Sequence, residues 1–121
     1  MNRWIGRLLL AAVTATLAPH AVAHAQLERT IPAAGSAIRE SPARLTLQFS
    51  QRFEPAFSKV RVLNAKGEQV ANGDAQVDRA DARQLNVPLP KLDPGTYRVQ
   101  WRVLSVDTHV REGQFTFHVL P

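Results

Sequence analysis

Stretch after stretch of this chain alternates apolar with polar residues one for one, and a pattern of period two fits β-strand rather than helix. Arg44–Phe49 sends Leu45, Leu47 and Phe49 to one side, with Arg44, Thr46 and Gln48 on the other. Lys59–Leu63 does the same with Val60 and Val62, and residues 84–89 with Leu85, Val87 and Leu89. Residues 96–103 set Tyr97, Val99, Trp101 and Val103 against Arg98, Gln100 and Arg102. A last strand after Gly113 points Phe115, Phe117 and Val119 inward and Gln114, Thr116 and His118 outward. Weaker strands are expected at residues 25–31, with Ala25, Leu27 and Ile31 sharing a side, and at the return over residues 68–71.

Turn chemistry separates these runs. Pro32-Ala33-Ala34-Gly35-Ser36, Ser41-Pro42 and Asp93-Pro94-Gly95 break the chain, and Asn64-Ala65-Lys66-Gly67 fits a hairpin with Gly67 in the left-handed region. Residues 50–57 are interrupted by Pro55, with Phe53 and Phe57 expected against the core, and residues 72–83 read as a polar surface loop. About seven short strands and no helix predict an all-β domain: an antiparallel Greek-key β-sandwich of immunoglobulin-like form. A closed barrel is the alternative. There is no cysteine, so no disulfide joins the sheets and the fold rests on its core.

The first 23 residues do not fit this pattern. Arg3 and Arg7 precede an apolar run from Leu8 to Ala18, and Ala21-Val22-Ala23 is a small-x-small cleavage site. This reads as a secretory signal peptide, followed by a domain over residues 24–121. The run is too short for the about 20 apolar residues that cross a bilayer, so no membrane insertion is expected after cleavage. Ala23-His24-Ala25 offers a competing site that would start the chain at Gln26. Losing Arg3 and Arg7 leaves 13 basic against 10 acidic side chains, and the basic residues lie singly without interleaved aromatics. That argues against a nucleic-acid partner.

Cleavage after Ala23 gives His24 a free α-amine beside its imidazole, two nitrogens able to chelate one ion. Asp107 and His109 stand two residues apart where the alternation breaks around Leu104, a break that suggests a bulge or the end of the strand. In extended backbone their Cα atoms would lie roughly 6.6 Å apart on one face. In a sandwich the chain ends and loops gather at the rims, so His24, Asp107 and His109 can meet. Three nitrogens and a carboxylate oxygen in a tetragonal set suit Cu(II) better than Zn(II). Met1 leaves with the signal peptide, so no thioether or thiolate remains for Cu(I). Taken singly, His24 is a frayed terminus, Asp107 a carboxylate that caps a turn and His109 a surface histidine. His118 reads as an outward, non-functional residue, and Arg102 as solvated or ion-paired.

The segments His24-Ala25-Gln26-Leu27, Pro32-Ala33-Ala34-Gly35-Ser36, Leu47-Gln48-Phe49-Ser50, Pro94-Gly95-Thr96-Tyr97 and Trp101-Arg102-Val103-Leu104-Ser105-Val106-Asp107-Thr108-His109 resemble, in order and spacing, the CopC family of periplasmic copper-resistance proteins. The resemblance implies a Greek-key sandwich and a Cu(II) site, one ion per chain, at His24, Asp107 and His109. It implies copper sequestration or delivery in the periplasm, often beside a CopD-type inner-membrane copper transporter, without catalysis. The methionine-rich loop of some members is missing. Gln51 stands where some carry an acid after Phe-Ser, and Glu54 is the nearest substitute. Two other classes stay open: a copper-dependent oxidative enzyme of histidine-brace type, and a metal-free β-sandwich interaction module.

Overall fold

The computed structural model describes residues 25–121; the segment read as a signal peptide and His24 lie outside the described residues. The chain forms strands β1 (Leu27–Ile31), β2 (Ala37–Ile38), β3 (Arg44–Phe49), β4 (Lys59–Leu63), β5 (Gln76–Val77), β6 (Gln84–Pro88), β7 (Gly95–Leu104) and β8 (Val110–Val119). One 3-10 turn, Pro55–Phe57, precedes β4. The strands make two four-stranded sheets, β1-β3-β6-β5 and β2-β8-β7-β4, stacked as a Greek-key β-sandwich. All pairings are antiparallel except the two-residue match of β2 with β8. Among the described residues no helix is long and apolar enough to cross a membrane.

The inward faces come from the alternating runs. Leu45, Leu47 and Phe49 of β3 and Leu85 and Val87 of β6 line one sheet; Val62, Val99, Val103 and Phe117 face them from the other, and each is buried. Tyr97 stacks on Phe117 at 5.5 Å, and its hydroxyl donates to the Asp93 carbonyl at 2.6 Å. Burial, with the nearby Asp93 charge, raises the phenol's pKa, so it remains protonated and able to donate. Trp101 follows the same parity at the end of the core. Its indole lies over Gly113, directly opposite in the pairing, where a Cβ would come within 2.6 Å of the ring. Only glycine admits the ring there without displacement.

Four expectations are corrected. Ile31 is 54% exposed while Thr30 is buried, because a bulge between Leu27 and Arg29 shifts the register of β1 and exchanges its faces. Phe57 is 67% exposed, carried outward on the 3-10 turn, while Phe53 is buried as expected. The return at residues 68–71 shrinks to one bridge, Leu63 with Gln69, since the Gln69 side chain itself accepts from the Val62 N–H at 2.6 Å. Residues 72–83, read as a loop, contain the short β5. Gly67 has φ +80°, as the hairpin requires.

Candidate metal centre

Three segments meet at one rim of the sandwich. Gln26, at the start of the described chain, donates its N–H to Ser50 Oγ at 2.9 Å, and its carbonyl accepts from the Ser50 N–H at 2.8 Å. The loop that follows Ser50 bridges to the end of β7: Phe53 pairs with Ser105, and the Glu54 N–H donates to the Leu104 carbonyl at 2.7 Å. The Val106 N–H reaches the Arg52 carbonyl at 3.4 Å. A cluster of rings underlies the rim, with Phe49 edge-on to Phe53 at 5.6 Å and to Trp101 at 5.3 Å. Ala25 is fully buried, which fixes the chain as it enters the sheet.

Asp107 and His109 lie between β7 and β8 on a turn, not on extended backbone, which corrects the expected geometry. The Thr108 N–H donates to the Ser105 carbonyl and the Ser105 N–H to the His109 carbonyl, both at 2.9 Å. Thr108 has φ +70°, a left-handed conformation uncommon outside glycine and concentrated at functional sites. The reversal brings the two side chains together, with His109 Nδ1 3.5 Å from Asp107 Oδ2.

Ser105 organises this turn. It is fully buried, its hydroxyl donates to Asp107 Oδ1, and the same oxygen lies 3.1 Å from the His109 carbonyl. The His109 N–H also points at Asp107 Oδ1, at 3.4 Å. One carboxylate oxygen is therefore held by the turn, which leaves Oδ2 on the side of the imidazole. Sequence reasoning assigns Ser105 no role. A polar residue at the end of an otherwise apolar inward row was the available signal.

Among the described residues no group of three or more His, Cys, Asp or Glu side chains could hold a metal. Asp107 and His109 supply one oxygen and one nitrogen, with side-chain exposures of 31% and 60%. An ion bound by this pair needs further donors, and no other described His, Cys, Asp or Glu side chain completes the set. The backbone of Glu54 belongs to the rim, but its carboxylate does not complete a ligand set with the pair. His118 is engaged elsewhere, its Nδ1 2.9 Å from Thr96 Oγ1. Arg102 projects from the outer face of β7 between Lys59 and Glu112.

The described residues form a small β-sandwich domain that carries an Asp-x-His turn at the rim where they begin. Residues 27–120 match the model of the CopC domain, and the chain belongs to the CopC family. Protein YobA of Escherichia coli (strain K12) is 40% identical over 115 residues, covering 93% of either chain. The crystal structure of CopC from Methylosinus trichosporium OB3b superposes with a TM-score of 0.76 at 35% identity, covering 81% of this chain and 95% of that one. PcoC, a methionine-rich copper resistance protein from Escherichia coli, gives a TM-score of 0.67 at 34% identity over 80% of this chain and 99% of its own.

Proposed function

We propose that the chain is exported, cleaved after Ala23, and binds one Cu(II) ion in the periplasm through the His24 amine and imidazole, Asp107 and His109. The observation that carries this reading is the rim itself: the turn that pairs Asp107 with His109 is tied to the loop after Ser50, and Ser50 is tied to Gln26. His24, two positions before Gln26 in the chain, would on this reading bring its amine and imidazole to that rim. Membership of the CopC family, and the likeness to a copper resistance protein, support copper as the cargo. The donor set favours the oxidised ion. Unlike the methionine-rich PcoC, this chain carries its only methionine at position 1. A soft Cu(I) site has no sulfur to use.

The role is to sequester copper or exchange it with a membrane copper transporter of the CopD type, and it calls on no nucleophile or catalytic base. Ligands must be deprotonated to bind, so affinity falls as the solution is acidified. Competitive titration of the exported protein should saturate at one Cu(II) per chain. Ser105→Ala should keep that stoichiometry and the fold while weakening affinity about 10–100-fold, because Asp107 loses the donor that orients it. Non-saturating uptake by the native protein would refute the reading. Native affinity in Ser105→Ala would refute the serine's role alone.

A further inference from the structure

Residues 25–121 expose five large apolar side chains; Val106 and Val110 flank the Asp107–His109 turn in the chain, and Phe57 lines a groove with Val110. That groove, of about 390 Å³, is lined by Phe57, Leu104 and Val110 together with Ala56, Lys59 and Arg102. The groove opens onto the outer face of the β2-β8-β7-β4 sheet. From that face project Lys59 and Arg61 of β4, Arg98 and Arg102 of β7, and Glu112 of β8, all exposed.

This face holds the whole charge excess of the domain. Residues 25–121 carry 13 basic side chains, the chain's 15 less Arg3 and Arg7, against 10 acidic. Four of the basic residues and one acid stand on the face, which leaves nine against nine everywhere else. Lys59 lies directly opposite Arg102 in the pairing. Like charges so placed oppose each other, and on this face only Glu112, opposite Arg102 on its other side, offsets the four cations. An apolar groove that continues into a cationic strip resembles the core and rim of a protein interface.

We infer that this surface docks an acidic segment of another protein, with an apolar anchor in the Phe57–Val110 groove and carboxylates along Lys59, Arg102, Arg61 and Arg98. A bilayer fits less well, because the cations run in a line along the sheet while the apolar groups line a groove at one end. The inference gives the proposed copper exchange a place to occur, since the groove adjoins the Asp107–His109 turn. Docking itself needs no copper and is measured without it, so its failure and the failure of the copper reading are distinguishable.

The test is backbone-amide NMR of the copper-free exported protein, titrated with a synthetic peptide bearing a Leu-Phe pair followed by glutamates. The expected result is saturable shifts confined to residues 56–61, 98–104 and 110–114, weakened by added salt. Phe57→Ser should reduce affinity about tenfold or more. The double variant Lys59→Glu, Arg102→Glu should abolish binding of the acidic peptide. Neither variant touches the proposed ligands, and both should bind Cu(II) as the native chain does. Absence of shifts up to millimolar peptide would overturn the inference, as would shifts on another face. So would phosphatidylglycerol vesicles moving these residues when the peptide does not, or concentration-dependent shifts without peptide, which would indicate a second copy.

Discussion

Cu(II) affinity falls by more than about a hundredfold when a single residue is retained ahead of His24, because the retained residue turns the proposed amine ligand into an amide. Loss of a partner that merely orients a ligand costs about 10–100-fold, and loss of a ligand that anchors a chelate ring costs more. The imidazole of His24, Asp107 and His109 all survive in the extended form, so the comparison isolates one nitrogen. Thermal melting without copper is the control. Residue 24 precedes Ala25, the first core residue among those described, and the copper-free proteins should unfold together. Competitive titration with a chelator of known strength supplies the number. Equal affinities would remove the amine from the site while leaving the Asp107–His109 pair untouched.

The second large effect is on the fold. Phe49→Ala empties the centre of the ring cluster under the rim, where a fully buried side chain meets both Phe53 and Trp101 edge-on. Removing a buried phenylalanine costs about 3–5 kcal/mol, a large part of the roughly 5–15 kcal/mol that holds a domain of this size together. The melting temperature should fall by roughly 12–25 °C. Phe57→Ala should change stability by less than about 0.5 kcal/mol, since that ring already stands in solvent. Calorimetry of the two variants separates a phenylalanine that holds the rim from one that decorates it. Equal losses would mean that Phe57 is packed as the sequence had suggested.

The two phenylalanines also mark where sequence reasoning works and where it stops. Leu45, Leu47, Phe49, Leu85, Val87, Val99 and Val103 are buried as their alternation predicts, because strict parity on a paired strand leaves one face to the core. Ile31 escapes the same logic, since a bulge in β1 is a backbone event that the weak pattern of residues 25–31 does not encode. Phe57 follows a proline in an irregular stretch with no period to consult, and the direction of a 3-10 turn is set by what it packs against.

At the site, the residue types were legible and the geometry was not. Asp107 and His109 stood out by chemistry and spacing, yet the backbone brings them together by reversing at Thr108 rather than by extending. Ser105 matters through its hydroxyl's contact with Asp107 across the turn, a contact no linear spacing reveals. The cationic strip was equally hidden, because Lys59, Arg61, Arg98 and Arg102 lie scattered in the chain until the β4–β7 register aligns them. The tie from Gln26 through Ser50 to the turn depends on two strands and a loop meeting at one rim.

Electron paramagnetic resonance of the Cu(II)-loaded exported protein reads the proposed ligand set itself. The expected spectrum is a tetragonal signal coupled to three nitrogens, two of them imidazole, with one imidazole coupling lost in His109→Gln. A spectrum of solvated copper, or one without imidazole coupling, would contradict it.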